Sequence, residues 1–466
     1  MAPITAPLPL HEGAVGSTHS ALSAPIAEPG AIEMTPEYER VVSLIQSGVP
    51  MVFVTGGAGT GKSTLIDVIR TRCRKRMAVV AFTGVAALNV RGSTIHSFFR
   101  LPPRICDRSE IKAVEDRKMY RELELLVIDE VSMVRGDLMD NIDRFLRVNR
   151  SSQVPFGGVQ VVLIGDPFQL PPVVTRGDRE VLELAGYTHL HFFDALCLRD
   201  AHFEMVELSA QYRQSDAEFV RLLNMLRDGE SKSRAVREIN SSAGLCNTRQ
   251  GVVTLTTTNA DADALNRMRL SGIGSPVHRF RGHVTGRMET TEARLPSPLN
   301  LELKVGAQVM FTRNEWPHWV NGTVGVVTGF SGDGIQVCIP LRRTVGRIVT
   351  VHPATWSEYR QEWDPRLKRI VTVETGTYTQ YPLTLAWALT IHKSQGKTLD
   401  AARIDLGRGA FVHGQAYVAL SRCRSLADIE LVRPLRESDI ICDAAVREFY
   451  AGLSAPDVGT TRRKTA

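Results

Sequence analysis

The feature that most constrains this chain is a glycine-rich segment that directly follows a short apolar run. Residues 56–63 read Gly-Gly-Ala-Gly-Thr-Gly-Lys-Ser and match the pattern GxxxxGK[ST], with the run Met51–Thr55 before them. An apolar-periodic segment typical of a helix begins near Lys62. Glycines allow a tight backbone path whose N–H groups point at phosphate oxygens, and a helix N-terminus adds a favourable dipole. A phosphate-binding loop between a strand and a helix is therefore predicted, rather than a chance turn.

Every residue of this loop is a candidate nucleotide ligand. The Lys62 ammonium can reach the β- and γ-phosphates of a nucleoside triphosphate, and the Ser63 hydroxyl can ligate Mg²⁺. The candidate nucleotide-binding residues of the loop and the following helical turn are Gly56, Gly57, Ala58, Gly59, Thr60, Gly61, Lys62, Ser63 and Thr64.

Acidic and amide side chains follow two further apolar runs. Asp129 and Glu130 come after Leu123–Ile128, and an acid at the carboxyl end of a parallel strand points into the ligand crevice. We expect Asp129 to hold Mg²⁺ and Glu130 to polarise the attacking water. Gln169, within Gly165–Pro172, can hydrogen-bond both the γ-phosphate and that water. Either segment alone also fits an ordinary loop, but together with the phosphate loop they indicate a P-loop NTPase.

The apolar runs alternate with helix-like segments, which predicts doubly wound α/β domains with parallel sheets. The predicted strands of a first domain are Met51–Thr55, Ala78–Thr83, Leu123–Ile128 and Val159–Ile164, and those of a second domain are Met205–Leu208, Val252–Thr257, Leu383–Ala386, Arg403–Leu406 and Ile429–Val432. Between the runs Val252–Thr257 and Leu383–Ala386, turn signals such as Asn321-Gly322 separate short alternating segments. That region predicts a small β-barrel inserted into the second domain.

The same patterns predict the domain limits. We expect a disordered tail at 1–33, a first domain at 34–190 with a small insert at about 100–122, a second domain formed by 191–270 and 380–453, an inserted barrel at 271–379, and a disordered tail at 454–466. The first 33 residues contain no Lys or Arg, so they lack the basic regions of secretory and mitochondrial signals. Order is predicted to begin near Met34, where Thr35-Pro36 is typical of a helix start.

Composition excludes several classes of protein. The chain has 466 residues, of which 43% are hydrophobic and 23% charged, which is ordinary for globular domains. It has no apolar run long enough to span a membrane. Its seven cysteines are scattered without a CxxC pair, which argues against structural zinc and a disulfide framework and favours a reducing, cytoplasmic setting. The net charge of +6 permits a polyanionic partner without requiring one.

Further motifs make the sequence resemble the PIF-type (petite integration frequency) DNA helicases, RecD-like members of helicase superfamily one. The resemblance covers about 36–432 in ordered blocks: Phe82–Phe98, Leu126–Val134, Pro155–Gly158, Gly165–Val173, Leu208–Asp216, Tyr381–Thr398 and Gly414–Cys423. It implies two RecA-like P-loop domains with ATP in the cleft between them and an inserted SH3-like β-barrel. It also implies an ATP hydrolase that moves 5′ to 3′ on single-stranded DNA and unwinds duplexes in replication, repair or recombination.

The resemblance assigns roles to residues outside the phosphate loop. Arg213 and Arg422 match the family's arginine fingers, which stabilise transition-state charge on the phosphoryl group, whereas an isolated arginine usually makes a surface ion pair. With Lys62, Glu130 and Gln169 they complete the predicted catalytic set. The residues that match DNA-contacting positions are Thr83, Ser93, His96, Ser97, Phe98, Asn321, His392, Lys393, Ser394 and Gln395. Core packing explains Phe98 as well as base stacking does, and Asn321 also fits an ordinary hairpin turn.

One position departs from the family pattern. Family members usually carry a glutamine that reads adenine, and counting back from Gly56 places Tyr38 there. A tyrosine ring can stack on any base, but its single hydroxyl cannot match both adenine N6 and N7. We therefore expect Tyr38 to contact the base and the chain to discriminate weakly between ATP and GTP.

The implied partners are single-stranded DNA and forked duplex DNA, bound by a monomer without a membrane. A wedge for strand separation is expected in the segment 100–122. Two alternatives stay open: a DNA-stimulated ATPase that strips proteins from DNA without unwinding it, and a catalytically silent DNA-binding scaffold. The complete catalytic set argues against the scaffold.

Overall fold

Helices and strands alternate along the chain. The computed structural model describes residues 33–214, 216–243, 251–287, 295–315, 317–341, 344–364, 366 and 369–454. The strands are β1 (Met51–Thr55), β2 (Met77–Ala81), β3 (Ser93–Thr94), β4 (Leu125–Asp129), β5 (Gln160–Ile164), β6 (Glu204–Glu207), β7 (Val253–Thr256), β8 (His278–Arg281), β9 (His283–Gly286), β10 (Asn300–Leu303), β11 (Gln308–Phe311), β12 (Val324–Ser331), β13 (Gly334–Leu341), β14 (Thr344–Val351), β15 (Ala354–Asp364), β16 (Arg369–Gln380), β17 (Leu383–Leu385), β18 (Ala388–Thr390), β19 (Ala402–Asp405) and β20 (Ile429–Leu431). The helices are α1 (Pro36–Gln46), α2 (Lys62–Arg72), α3 (Gly84–Asn89), α4 (Ile95–Phe98), α5 (Lys118–Glu122), α6 (Gly136–Arg150), α7 (Arg176–Leu184), α8 (Ala217–Asp228), α9 (Lys232–Ser242), α10 (Asn259–Ser271), α11 (Gln415–Leu420) and α12 (Ala444–Ser454).

The first sheet has six parallel strands in the order β3-β2-β4-β5-β1-β6. Strands β1, β4 and β5 are buried along their whole length, as expected for apolar strands covered on both faces. Their carboxyl ends meet at one edge, which brings the segments after β1, β4 and β5 together. The predicted α/β fold with a parallel sheet is confirmed.

The second sheet has four parallel strands in the order β18-β7-β19-β20, and two strand assignments for it were wrong. The predicted strand at 205–208 is β6, which pairs with β1 in the first sheet. The predicted strand at 383–386 is β17, which pairs antiparallel with β11 in the insert, and β18 pairs with β7 in its place. An apolar run reports that a strand is buried but not which sheet buries it, so the sequence could not separate these cases.

The region after α10 is rich in antiparallel strands. One sheet has the order β14-β13-β12-β11-β17, a second has β15-β16-β9, and β10 pairs with β8. Gly332 and Asp333 form the turn that joins β12 to β13, where Ser331 is opposite Gly334. Within the described part of this region the sheets do not close into a barrel, so the SH3-like barrel is not confirmed.

Both predicted tails lie almost entirely outside the described residues. At the amino end the predicted helix start is confirmed: the Thr35 hydroxyl accepts a hydrogen bond from the Tyr38 amide at 3.2 Å, with Pro36 at the first helical position. At the carboxyl end α12 packs against the first sheet, where the Phe449 ring lies 5.7 Å from that of Phe53 in β1, and the same ring stacks on Phe193 with centroids 4.3 Å apart. Every helix in the described part of the chain is too short or too polar to cross a membrane.

The segment 100–122 packs against the core of the first sheet. Its apolar side chains are buried in the same core as Phe99 and Phe145: Leu101, Cys106, Ile111, Met119 and Tyr120. The predicted wedge within this segment stays a prediction, because it depends on contacts with DNA.

Candidate active site

The glycine-rich loop lies between β1 and α2, as the motif predicts. Gly59 and Gly61 have φ values of +86° and +84°, a region that side chains disfavour. A Cβ on Gly59 would lie 2.5 Å from the Cβ of Arg213, and one on Gly61 would lie 2.3 Å from the Tyr38 hydroxyl. Because Gly61 precedes α2 and has no side chain to cap it, the first N–H groups of α2 are left for a ligand or water.

Lys62 is the first residue of α2, and its side chain reaches back over this loop. Its ammonium donates hydrogen bonds to the carbonyl oxygens of Gly56 at 2.8 Å and Gly57 at 2.9 Å. Burial lowers the pKa of Lys62, while Asp166 and other nearby carboxylates oppose that shift. The neighbouring Ser63 and Thr64 side chains are exposed on the first turn of α2.

Two adjacent carboxylates end β4. Asp129 is buried, and burial together with the charge of Glu130 raises its pKa. Burial also raises the pKa of Glu130, whereas Lys62 and Arg422 lower it. Glu130 has a φ of +50°, a strained conformation that is often found at functional sites. A cation beside this pair would relieve the mutual repulsion of the carboxylates.

Asp129 and Ser63 offer the oxygen ligands that Mg²⁺ prefers. Among the described residues no group of three or more His, Cys, Asp or Glu side chains could hold a metal. The two oxygen ligands fit a nucleotide-bound Mg²⁺, because this ion keeps several waters and takes further ligands from substrate phosphates.

Gln169 and Asp166 connect the site to residues that come after the first sheet in the sequence. The buried Gln169 amide donates to Asp166 Oδ2 at 3.4 Å and accepts a hydrogen bond from Gln395 Nε2 at 3.3 Å. Asp166 is fully buried and pairs with Arg227 Nε at 3.2 Å. Sequence reasoning gave no role to Asp166 and Arg227. Asp166 follows β5 just as Asp129 ends β4, so its position was a usable signal, whereas Arg227 lies in an ordinary amphipathic helix.

The structure brings the two predicted arginine fingers together. Arg213 Nη1 lies 3.5 Å from the carbonyl oxygen of Ser421, the residue before Arg422. The Arg422 guanidinium is 1% exposed and donates to the carbonyl oxygen of Val418 at 2.8 Å. Burial lowers the pKa of both arginines, and Glu130 opposes the shift at each. One buried and one half-buried guanidinium group near Glu130 form a site suited to a polyanion.

Tyr38 is buried beside the phosphate loop. Its side chain is 2% exposed, and its hydroxyl donates to the carbonyl oxygen of Gly61 at 2.8 Å. Burial raises the pKa of Tyr38 to about 12. Counting positions along the chain could not reveal that this helical side chain faces the core, and the expected contact of Tyr38 with the base stays a prediction.

Tyr212 is a better candidate for a base contact than Tyr38. Its ring is 53% exposed, and a Cβ on Gly61 would lie 3.2 Å from Tyr212 Cε2. Sequence reasoning missed it, although an aromatic residue directly before Arg213 was a signal.

The first predicted DNA-contacting block is partly buried. Ser93 is 3% exposed, and its hydroxyl donates to the carbonyl oxygen of Tyr359 in β15 at 3.0 Å. Phe98 is 2% exposed and packs against Phe99 and Tyr120 at centroid distances of 4.8 and 5.6 Å. Phe98 thus packs in the core, as the core-packing interpretation expects, and its contact with DNA stays a prediction.

Other members of this block reach the surface. Ser97 is exposed, and His96 is half-buried beside Phe82. Thr83 is half-buried, and its hydroxyl caps α3 by accepting from the Ala86 amide at 3.1 Å.

The second predicted DNA-contacting block divides in the same way. Lys393 is exposed, and His392 is half-buried with a pKa lowered by burial. Ser394 is fully buried, and its carbonyl oxygen accepts from Arg422 Nη1 at 3.3 Å, so its expected DNA contact stays a prediction. Gln395 reaches Gln169, as described above.

Asn321 lies before β12 in the insert and contacts the segment between β18 and β19. Its side-chain oxygen accepts a hydrogen bond from Lys397 Nζ at 2.9 Å, and burial lowers the pKa of Lys397 to about 8. Sequence reasoning missed Lys397, which the motif context places only three residues after Ser394.

Comparisons with known proteins agree with this arrangement. A sequence model of the PIF1-like helicase family matches residues 34–237. The ATP-dependent DNA helicase Pif1 of Bdellovibrio bacteriovorus is 34% identical over 429 residues, which cover 90% of this chain and 92% of that protein. The structure of Bacteroides sp Pif1 in complex with ADP-AlF4 matches with a TM-score of 0.83 and 36% identity, covering 91% of this chain and 97% of that chain. Bacteroides Pif1 bound to ssDNA matches over the same shares, at 36% identity, with a TM-score of 0.65.

The length of the match differs among relatives. The chain spans 63% to 65% of the length of the mammalian ATP-dependent DNA helicases PIF1 that it matches.

Proposed function

Since the chain belongs to the PIF1-like helicase family, we propose that it is an ATP-dependent DNA helicase that moves 5′ to 3′ along single-stranded DNA and unwinds duplex DNA. The observation that carries this proposal is the convergence of Lys62, Glu130, Arg213 and Arg422 around the phosphate loop. Lys62 and Glu130 follow strands of the first sheet, whereas Arg213 and Arg422 come after that sheet in the sequence. The site is therefore complete only when these two parts of the chain meet. This is the arrangement that lets nucleotide binding drive a change in the relative position of two domains.

Each residue has a distinct part in the proposed hydrolysis. Lys62 would exchange its two loop carbonyls for phosphate oxygens, since a charge-assisted bond to phosphate is stronger than one to a carbonyl. Glu130 would accept a proton from the attacking water, with Gln169 orienting that water. Arg213 and Arg422 would stabilise the charge that develops on the transferred phosphoryl group. Ser63 and Asp129 would hold Mg²⁺, which neutralises phosphate charge when bound.

Single-stranded DNA and forked duplex DNA are the proposed partners. Ser97 and Lys393 are exposed in the two blocks that match DNA-contacting positions. The contact between Gln395 and Gln169 gives a direct link from the second block to the hydrolysis site. Related Bacteroides Pif1 has been solved with ssDNA, which supports this choice of partner. The monomeric state stays a prediction.

The domain limits are also part of the proposal. We place the first domain at 34–208, so that β6 remains with its sheet, and the insert at 271–386, so that it includes β17. The second domain then comprises 209–270 and 387–453. An SH3-like barrel within the insert remains a prediction.

Unwinding of a forked duplex with a 5′ single-stranded tail tests the proposal. We expect ATP-dependent strand separation that is lost in Lys62→Ala, and none on a fork whose only tail is 3′. A streptavidin-displacement assay on single-stranded DNA runs alongside. Displacement of streptavidin without strand separation would favour the protein-stripping ATPase instead.

A further inference from the structure

Tyr417 connects helix α11 to the phosphate loop. Its hydroxyl accepts a hydrogen bond from the Ala58 amide at 3.0 Å and donates one to Asp166 Oδ2 at 3.3 Å. The side chain is buried, and its ring belongs to the core of the second half of the molecule. One hydroxyl thus contacts two segments that follow strands of the first sheet: the loop after β1 and the segment after β5.

The same short helix leads directly to Arg422. The Ser421 amide donates to the carbonyl oxygen of Tyr417 at 2.9 Å, and Arg422 Nε donates to that of Val418 at 2.8 Å. Because a turn of helix is stiff, the position of the Tyr417 ring fixes the position of the Arg422 backbone. The distance from Arg422 to the phosphate loop therefore depends on where the Tyr417 hydroxyl docks.

The chemistry of Tyr417 suits this task. Burial raises its pKa far above the usual range, and the nearby Asp166 raises it further, so the hydroxyl stays protonated at neutral pH. A protonated hydroxyl can accept from Ala58 and donate to Asp166 at the same time, which a carboxylate or an ammonium group cannot do. A phenylalanine would keep the ring and its packing but lose both hydrogen bonds.

We propose that Tyr417 is a positioning residue for the ATP hydrolysis proposed above: its hydroxyl docks α11 on the phosphate loop and so sets the reach of Arg422. This inference rests on the proposed function. It differs from a purely structural role, in which the two hydrogen bonds would only stabilise the fold. It also differs from a competitive role, in which the Tyr417 hydroxyl would occupy the Ala58 amide and so oppose binding of ATP to the loop.

Tyr417→Phe in the full chain tests the proposal through steady-state hydrolysis of ATP. We expect kcat to fall about tenfold, the scale of a lost buried hydrogen bond, with KM for ATP changed less than about twofold. The matched control is Tyr378→Phe, because the Tyr378 hydroxyl is equally buried and donates to the carbonyl oxygens of Ser297 and Pro298, both at 3.0 Å, within the insert. That control should leave kcat unchanged. A lower KM with unchanged kcat in Tyr417→Phe would mean competition and would overturn the proposal.

A double-mutant cycle with Arg422→Lys separates positioning from structure. If Tyr417 acts through Arg422, adding Tyr417→Phe to Arg422→Lys should change kcat less than about twofold. Equal tenfold losses in both backgrounds would overturn the proposal. Affinity for a fluorescent ADP analogue, measured on every variant, should stay within about twofold if the loop is intact. A complete lack of hydrolysis by the unmodified chain would instead refute the proposed function, and this inference with it.

Discussion

The phosphate-loop cleft and the first predicted DNA-contacting block differ in how directly sequence determines them. In the cleft, contiguous residues build the loop, and the φ values of Gly59 and Gly61 follow from the motif itself. In the DNA block, Ser93 is covered by Tyr359, which lies in β15 far along the chain. A motif match therefore locates a residue reliably, but exposure to a ligand depends on what the rest of the chain packs against it.

The largest expected effect concerns the arginines of the cleft. Arg213→Ala and Arg422→Ala should each lower kcat for ATP about a thousandfold, with a much smaller change in KM, because both act on the transition state. Single-stranded DNA affinity without nucleotide should be unchanged if cleft and DNA surface are separate. Arg234→Ala removes an exposed pair with Glu238 and serves as the control. A change confined to KM would assign these arginines to ordinary substrate binding.

The next effect concerns Glu130. Glu130→Gln should slow hydrolysis about a hundredfold while ATP and Mg²⁺ still bind, because only the proton acceptor is lost. Single-turnover hydrolysis and equilibrium ATP binding measure the two properties separately. Loss of ATP affinity would show that Glu130 is a metal ligand and that its assigned role is incorrect.

Recognition of the base gives a smaller effect within the same cleft. With Tyr38 buried and Tyr212 exposed beside Gly61, we expect stacking rather than paired hydrogen bonds to hold the base. Values of kcat/KM for ATP and GTP should then agree within about tenfold, and Tyr212→Ala should raise KM for both nucleotides alike. A preference for ATP above about a hundredfold would show that another group reads adenine.

The smallest effect tests the DNA block directly. Ser97→Ala should weaken single-stranded DNA binding by about fivefold, the scale of one hydrogen bond, because Ser97 is exposed. Ser93→Ala should have a smaller effect on the same fluorescence-anisotropy titration, because its hydroxyl is already bonded to Tyr359. Equal losses in both variants would mean that β15 leaves Ser93 when DNA binds, and the comparison between exposed and covered residues would fail.

Much of the fold could be predicted because local patterns determine it. The runs that became β1, β4 and β5 are predominantly apolar, and the Thr35-Pro36 helix start is a local hydrogen-bonding pattern. The assignments of β6 and β17 failed because strand pairing is non-local.

The same distinction holds within the candidate site. The residues of the loop, and Glu130 and Gln169, could be predicted since they follow strands that end at one edge of a sheet. The burial of Tyr38 and Ser394 could not, because it depends on the face that each side chain presents to distant elements.

The measurement that tests the central claim most directly is phosphate release from ATP by the unmodified chain, with and without single-stranded DNA. If the cleft is a hydrolysis site coupled to DNA through Gln395 and Gln169, DNA should stimulate release strongly, and Lys62→Ala should abolish release under both conditions. Release that is absent, or that does not respond to DNA, would contradict the account.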